Sequence, residues 1–294
     1  MSEAWRVDAH HHLWDLSIRH QPWLDAPALA PIRRSYGPDD LAPLLRATGV
    51  GRTVLVQTQP APEETAELLA HAAAPGPIAG VVGWTDLASP AVTEHLTALR
   101  ELPGGAALVG IRHPVQAEPD PDWLTRPAVL RGLRATGTAN LAFDLLVRPW
   151  QLPTAVAAVR ACPGTTFVLN HLGQPPADDA EAHRAWARSL RQLADAGPRV
   201  FCKLSGLLTT PGRDVRTCTD TALEIFGPRR LLFGSDWPVC LLTASYGRVL
   251  EVTEQLCAGL SPQDRSEIFA NAACRAYRMP VGPGWPVSRS GRRG

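Results

Sequence analysis

The sequence predicts an α/β fold in which eight parallel strands alternate with helices to form a single (β/α)8 TIM barrel. Short apolar runs rich in β-branched residues recur along the 294 residues, and segments with helical spacing of apolar residues separate them. Eight such runs are present, which is the number that closes a barrel of this kind. No Gly-x-Gly-x-x-Gly loop follows any of them, so two dinucleotide-binding halves are not predicted.

Each predicted strand ends where an apolar run meets polar residues, glycine or proline. The strands are predicted at Trp5–His10, Thr53–Gln57, Ala79–Trp84, Leu108–Arg112, Leu141–Leu146, Phe167–His171, Val200–Ser205 and Leu231–Asp236. Amphipathic spacing, often after a starting Pro or Asp, predicts helices at Asp39–Thr48, Pro62–Ala73, Ala91–Leu102, Asp122–Ala135, Leu152–Ala161, Ala180–Ala196, Asp214–Phe226, Arg248–Leu260 and Pro262–Tyr277.

Two segments lack this periodicity. Residues Leu16–Pro38, named here the covering loop, are predicted to lie over the open end of the barrel. Residues 281–294 are rich in Gly, Arg and Ser and are predicted to form a flexible tail, which leaves residues 1–280 as one domain.

Composition excludes several classes of function. The chain is 45% hydrophobic and 19% charged with a formal net charge of +1, which gives no electrostatic reason to expect a nucleic acid or a membrane as partner. No signal-like or membrane-spanning run is present, so a cytoplasmic location is expected. The six cysteines form no Cys-x-x-Cys pair and predict neither a zinc knuckle nor a disulfide framework. Lys203 is the only lysine, which suggests chemistry that arginine cannot replace.

The first strand ends in a His-x-His motif within the run VDAHHHLWD. Alternate residues of a strand point to the same face, so His10 and His12 are predicted to direct their imidazoles into one pocket. Two such imidazoles suit either a divalent metal such as zinc or a pair that handles protons, and the motif alone leaves both open.

Polar or aromatic side chains also follow each of the seven remaining predicted strands, at its carboxyl end. The active site of such a barrel is built from these ends, so the side chains are predicted to meet around one cavity. Burying so many ionisable groups on one face without a function would be costly. In chain order the strand ends supply Gln57, Trp84 and Asp86, Arg112 and His113, Asp144, Asn170 and His171, Lys203 and Ser205, and Asp236 and Trp237.

Longer motifs surround these strand ends: VDAHHHLWD, QPWL, VVGWTDL, GIRHPVQAEPDPDWL, FDLLVRPWQLP, FVLNHLGQPP, FCKLSGLLT and LLFGSDWPVCLL. Through them the chain resembles the amidohydrolase superfamily of the amidohydrolase-2 type, in the branch with L-fuconolactonase, L-rhamnono-lactonase and 2-pyrone-4,6-dicarboxylate lactonase. The resemblance implies a barrel of the metal-dependent-hydrolase type that opens a small lactone, such as the cyclic ester of a sugar acid.

The resemblance also implies roles for particular residues. Matching motifs imply catalytic positions at Asp236, His171, Arg112 and His113 and metal ligands at His10, His12 and Asp236. Arg112-His113 and Asp144 stand where metal-rich relatives have a carbamoylated lysine and a histidine, so a two-metal centre is not expected. Close relatives also often have Asp at the position of Asn170 and Glu at the position of Thr210.

The chemistry of lactone opening gives each group a predicted task. Asp236 is expected to act as general base, His171 and Arg112 to stabilise the oxyanion, and His113 or Lys203 to orient the hydroxyls of the substrate. The sequence is compatible with a site that holds one divalent metal, with zinc as first choice, and equally with a site that needs no metal. The further predicted substrate-binding residues are Trp14, Gln57, Trp84, Asp144 and Trp237.

Two alternatives remain open at this point. A metal-dependent decarboxylase of aromatic or enol acids uses a similar barrel and His-x-His motif. A non-catalytic protein that binds sugar acids would need fewer ionisable groups around one carbonyl. The expected partner is a small-molecule lactone in the first interpretation, and the oligomeric state is not predicted.

Overall fold

The computed structural model describes residues 5–177, 179–210 and 212–280, and its strands confirm the predicted barrel. All eight strands are parallel and pair in sequence order, from β1 to β8. Their bounds are β1 Arg6–His11, β2 Val50–Val56, β3 Ile78–Gly83, β4 Leu108–His113, β5 Ala142–Leu145, β6 Thr166–Leu169, β7 Val200–Leu204 and β8 Leu231–Phe233.

The barrel closes between β1 and the segment that follows β8. The backbone N–H of His12 donates to the carbonyl of Trp237 at 2.7 Å, and that of Asp236 donates to the carbonyl of His10 at 2.8 Å. These bonds lie at the carboxyl end of β1. They therefore bring Asp236, the last predicted catalytic residue, beside His10 and His12.

Ten helices surround or close the barrel in the part of the chain that the structure describes. They are α1 Pro38–Thr48, α2 Pro62–Ala73, α3 Val92–Glu101, α4 Pro127–Thr138, α5 Leu152–Ala161, α6 Ala180–Asp195, α7 Val215–Phe226, α8 Tyr246–Leu256, α9 Pro262–Ser266 and α10 Ala272–Ala276. None of these described helices is long and apolar enough to cross a bilayer.

Two helix predictions differ from the structure. The fourth helix begins at Pro127 and not at Asp122, because Pro127 occupies the first helical turn and holds the preceding Arg126 in an extended conformation. The helix predicted over Pro262–Tyr277 is divided by a π-helical turn at Glu267–Asn271, so its last part, α10, is a separate short segment.

The short helix α10 closes the amino-terminal end of the barrel. Its alanines pack against the small and β-branched side chains that point inward from the strands, among them Val7, Val54 and Val82. Tyr277, immediately after α10, is 2% exposed and enters the interior from below. The floor of the barrel therefore carries one polar group that points toward the centre.

The covering loop is anchored to the barrel and is not free in solution. Trp14 and Tyr36 exchange backbone hydrogen bonds of 3.1 and 2.9 Å, which fix the two ends of the loop to each other. The Trp14 ring packs edge-on against both Trp23 and Tyr36. The tail predicted at residues 281–294 lies outside the described residues.

Close packing at Gly132 generates a stability prediction. A Cβ at this position of α4 would lie 2.2 Å from the carbonyl oxygen of Leu87 in the loop after β3. We expect Gly132→Ala to lower the free energy of unfolding by about 1–3 kcal/mol. Chemical denaturation measures this change.

Gly247 is the matched control, because it is also helical but has nothing within 4 Å of its ideal Cβ position. There the higher helix propensity of alanine should raise the free energy of unfolding by roughly 0.5–1 kcal/mol. Equal effects of the two substitutions would show that backbone propensity, and not the contact with Leu87, decides the result.

Candidate active site

A cavity of about 720 Å³ opens at the carboxyl ends of the strands, where the sequence predicts the active site. Five of the predicted site residues line it: His12, Gln57, Arg112, His171 and Asp236. The covering loop contributes Pro22 and Trp23 to the wall. The volume lies within the usual range for sites that bind small molecules.

Four predicted residues, His10, His12, His171 and Asp236, meet in one group that we name the histidine–aspartate cluster. Oδ1 of Asp236 lies 3.6 Å from Nε2 of both His10 and His12 and 3.9 Å from Nε2 of His171. These side chains come from the ends of three different strands. The structure therefore brings these four predicted residues together, and His12, His171 and Asp236 line the cavity.

Backbone conformation directs two members of this cluster. His171 and Asp236 both have left-handed backbones, with φ of 52° and 57°. Non-glycine residues adopt this region at a cost, and such residues concentrate at functional sites. Because the chain turns sharply there, β6 and β8 end two and three residues earlier than predicted, at Leu169 and Phe233.

Gly206, after β7, allows a close approach to His171. Its φ is +60°, and a Cβ on it would lie 2.8 Å from Nδ1 of the imidazole. Glycine is therefore the residue that fits both the left-handed backbone and the narrow space beside the ring.

Hydrogen bonds set the tautomers of His10 and His12. The Lys203 ammonium group can only donate and lies 3.1 Å from Nδ1 of His10, closer than Nη1 of Arg112 lies to Nε2 at 3.4 Å. Nδ1 of His10 therefore accepts and Nε2 carries the proton. Nδ1 of His12 lies 2.7 Å from the carbonyl oxygen of Val56 and must donate to it, which leaves a lone pair on Nε2. The two Nε2 atoms are 3.2 Å apart, so His10 donates to His12.

Burial keeps these imidazoles neutral. It lowers the pKa of His12 to about 3 and that of His171 to about 4, and it lowers the pKa of His10 well below its ordinary value. Burial raises the pKa of Asp236, while His171, Arg112 and Lys203 oppose that change. The cluster therefore combines one carboxylate of increased basicity with uncharged histidines.

The ring nitrogens and carboxylate oxygens of the histidine–aspartate cluster are also candidate ligands for one cation. Ligand atoms of His10, His171 and Asp236 lie within 4.8 Å of one another, and Nε2 of His12 lies 3.6 Å from Oδ1 of Asp236. Nδ1 of His171 is 2.9 Å from the Ser205 hydroxyl, which can accept its proton and leave Nε2 free. His171 and Asp236 thus offer ligand atoms to a single cation directly. His12 would first have to release its hydrogen bond from His10, and His10 would need its proton on Nδ1, facing Lys203.

Arg112 is buried beside the cluster with its charge available to a ligand. It donates to the carbonyl of Gln57, and its Nη1 donates to Oδ1 of Asn170 at 3.2 Å. Two buried polar atoms here have no hydrogen-bond partner among the described residues: Nε of Arg112 and Oε1 of Gln57. Both residues line the cavity, so a bound substrate can satisfy these atoms.

Lys203 and Asp144 lie beneath the cluster and do not line the cavity. Nζ of Lys203 is 2.6 Å from Oδ2 of Asp144, and both side chains are 0% exposed. The Tyr277 hydroxyl donates to the same carboxylate from 2.8 Å, and Nδ2 of Asn170 donates to it at 2.9 Å. The predicted substrate-binding role of Lys203 and Asp144 is not supported by this position; they hold His10 in place from below.

His113 does not join the cluster. Successive side chains of β4 point to opposite faces, so Arg112 points inward and His113 outward. Nδ1 of His113 accepts from the Trp84 indole at 3.0 Å, and Nε2 lies 2.6 Å from Oε1 of Glu118. Both nitrogens are occupied and the ring stacks on Trp123, so a direct catalytic role for His113 is not supported.

The predicted aromatic platforms also lie elsewhere. Trp84 is held by His113 outside the cavity wall. Trp14 and Trp237 are buried against Tyr36 beneath the covering loop. Trp23 lines the cavity in their place, a residue that the sequence placed in the covering loop without assigning it a role.

Loop residues missed from the sequence complete the wall. They come from the connections after the strands, and no periodic pattern marks them. The polar ones are Thr58, Gln59, Gln116, Gln174, Thr209, Thr210 and Arg213. The Gln-Pro-Pro run after His171 was the available signal for Gln174, because a constrained turn after a predicted catalytic residue faces the same cavity.

Comparison with known proteins now identifies the family. The amidohydrolase family profile matches residues 7–279, nearly the whole described barrel. The chain belongs to the amidohydrolase family. It is 38% identical to an L-fucono-1,5-lactonase of Burkholderia multivorans, over 94% of this chain and 97% of that protein. An L-fucono-1,5-lactonase of Burkholderia ambifaria is also 38% identical, over 94% of this chain and 96% of the relative.

A solved structure shows the same fold. The structure of this protein matches the crystal structure of an amidohydrolase from Burkholderia multivorans with bound zinc, with a TM-score of 0.87 and 36% sequence identity. The match covers 94% of this chain and 100% of that chain. The resemblance inferred from the sequence motifs is therefore confirmed at the level of the family and the fold.

Buried neutral histidines generate a pH prediction. Burial lowers the pKa of His11 to about 3 from 6.5, so its contribution to stability is fully present above pH 6.5 and is lost as the pH falls toward 3. We expect His11→Asn to reduce the slope of unfolding free energy against pH by roughly 1.4 kcal/mol per pH unit between pH 6 and 4. Urea denaturation in the presence of chelator measures the slope, and His95→Asn, on the exposed face of α3, serves as control.

The buried pair generates a second prediction. Lys203→Met would leave the Asp144 carboxylate buried without its cation, and we expect a loss of about 3–5 kcal/mol of unfolding free energy. Adding Asp144→Asn removes the charge but keeps an acceptor for Tyr277, so the double variant should recover about half of the loss or more. Equal losses in the single and double variants would contradict this account, and chemical denaturation at constant pH distinguishes them.

Proposed function

We propose that this protein is a lactonase, a hydrolase that opens the cyclic ester of a sugar acid or of a similar small lactone. The supporting observation is geometric: one carboxylate lies 3.6–3.9 Å from three imidazoles, two of them buried and one half-buried, next to a guanidinium group at the end of a cavity of suitable size. The L-fucono-1,5-lactonases that are 38% identical over nearly the full chain support the same reaction class.

Asp236 is the proposed general base. Its Oδ1 takes a proton from water, and the oxygen of that water attacks the ring carbonyl carbon. Burial raises the pKa of this carboxyl, which increases its affinity for the proton. When the ring C–O bond breaks, the protonated Asp236 returns the proton to the leaving alkoxide, and the product is the open hydroxy acid.

Arg112 and His171 are the proposed donors to the oxyanion. The unpaired Nε–H of Arg112 and its charge favour the negative oxygen that forms during attack. Ser205 allows His171 to hold either tautomer: with the proton on Nε2 it donates to the oxyanion, and with the proton on Nδ1 it can bind a cation.

A divalent cation is part of the proposal, with zinc as first choice and His12, His171 and Asp236 as ligands. With His171 as a ligand, Arg112 alone would donate to the oxyanion. Such a cation would lower the pKa of water at this site. The support is the position of Oδ1 of Asp236, 3.6 Å from Nε2 of His12 and 3.9 Å from Nε2 of His171, together with the zinc in the related amidohydrolase structure. The proposed partner is a small-molecule lactone, and a cytoplasmic location remains a prediction.

A screen of sugar-acid lactones with a pH indicator tests the function. Hydrolysis releases one acid per ring opened, whereas a decarboxylase would release carbon dioxide and a binding protein would release neither. The screen is run before and after treatment with chelator, followed by return of zinc. Release of carbon dioxide, or binding without product, would refute the lactonase proposal.

Asp236→Asn is the variant that tests the mechanism. We expect kcat to fall by about 10²–10⁴, because the base is removed while the shape of the side chain is kept. The melting temperature should not fall, since burial penalises the charge that is removed. Asp86→Asn is the matched control, because Asp86 also follows a strand but is exposed outside the cavity. Normal turnover by Asp236→Asn would contradict the assignment.

A further inference from the structure

Arg213 places a second guanidinium group in the cavity wall, on the loop between β7 and α7. Its Nη1 donates to the carbonyl of Gly206 at 3.1 Å, and its Nη2 donates to Oγ1 of Thr210 at 2.8 Å. Gly206 itself packs against the His171 ring. The guanidinium is thus separated from the histidine–aspartate cluster by a single residue.

Arg213 has no acidic partner among the described residues. Its hydrogen-bond partners are a carbonyl and a hydroxyl, so neither of them balances its positive charge. Two of its five N–H donors are used, and the buried Nε–H has no acceptor in the described part of the chain. Nη1 and Nη2 each retain a second N–H group, and these donors suit a ligand that supplies acceptor oxygens in the cavity.

The remaining lining residues do not neutralise this charge. Arg112 and Arg213 are positive, and Asp236 is the one carboxylate among the described lining residues. Burial keeps His12 and His171 uncharged. The other polar lining groups are amides and hydroxyls, so the cavity carries an excess of positive charge and favours an anion.

Space for such a group is present. A six-carbon sugar lactone has about twelve non-hydrogen atoms, and at a full water volume of roughly 30 Å³ for each it occupies about 360 Å³. The cavity holds about 720 Å³. A lactone at the histidine–aspartate cluster therefore leaves room for a substituent that reaches the loop of Arg213.

We propose that Arg213 is a specificity-determining residue that binds a carboxylate on the substrate away from the lactone carbonyl. The preferred substrate is then the lactone of a sugar diacid and not that of a neutral aldonic acid. This inference rests on the proposed lactonase function. A guanidinium offers parallel N–H groups that match the two oxygens of a carboxylate, and its single charge balances that of a carboxylate.

Arg213 also closes its own loop through Gly206 and Thr210, so a structural role must be separated from ligand binding. Thr210→Glu achieves this separation. A glutamate at this position meets Nη2, retains a partner within the loop and cancels the free charge. A purely structural role predicts that this variant behaves like the wild type, whereas ligand binding predicts a loss of selectivity.

The experiment compares two 1,4-lactones of the same configuration that differ only at C6, one with CH₂OH and one with a carboxylate. We expect wild-type kcat/KM to be about tenfold to a hundredfold higher for the carboxylated lactone. Arg213→Gln and Thr210→Glu should remove this preference, because kcat/KM falls mainly for the carboxylated lactone. Arg213→Lys should retain part of the preference for the carboxylated lactone, because the positive charge remains but the parallel N–H groups of the guanidinium are lost.

Arg216→Gln is the matched control, since it removes an arginine three residues away that donates to the carbonyls of Leu256 and Gln255 outside the cavity. The preference should persist in this variant. Equal kcat/KM of the wild type for both lactones, or equal losses on both in Arg213→Gln, would overturn the inference while leaving the lactonase function intact.

Calorimetric titration with the two open-chain acids makes the test independent of turnover. The diacid should bind the wild type at least about tenfold more tightly than the monoacid, and Arg213→Gln should lose that difference. If neither lactone is hydrolysed but this difference is found, the proposed function fails and the anion site stands. If the two acids bind equally, the anion site is refuted whatever the activity.

Discussion

The buried ion pair of Lys203 and Asp144 is the interaction on which the candidate site depends. Both side chains are fully enclosed at 2.6 Å, so their removal from water must be offset by further bonds. Tyr277, Asn170 and His10 supply those bonds. The charge of Lys203 then determines which nitrogen of His10 holds a proton, and His10 in turn donates to His12. An electrostatic contact in the centre of the barrel thus sets the hydrogen-bonding character of the cavity above it.

This geometry accounts for the single lysine in the sequence. The ammonium group is compact and directs separate donors at a carboxylate and at an imidazole, in a space that is entirely enclosed. A planar guanidinium could not make both bonds there, because its donors are fixed in one plane and its head is larger. The compositional bias toward arginine therefore stops at the one position where the shape of the cation matters.

The fold and the centre of the site could be predicted from the sequence because both follow from strand periodicity. Apolar runs located all eight strands, and the rule that strand ends build the site brought His12, His171 and Asp236 together. The prediction was wrong about the direction in which individual side chains point. His113 follows the inward-pointing Arg112 and must face outward, a consequence of the pleat that the strand-end rule ignores. Arg213 and Tyr277 come from a loop and from the floor, where no strand pattern exists to mark them.

Tyr277 links assembly of the site to a part of the chain that follows the whole barrel in the sequence. Its hydroxyl completes the coordination of Asp144, yet it follows all eight strands in the sequence and reaches the barrel only when α10 docks. A nascent chain that has already produced every cavity-lining residue still lacks the group that satisfies the central carboxylate. Completion of the central hydrogen-bond network therefore depends on a segment that follows every strand of the barrel along the chain.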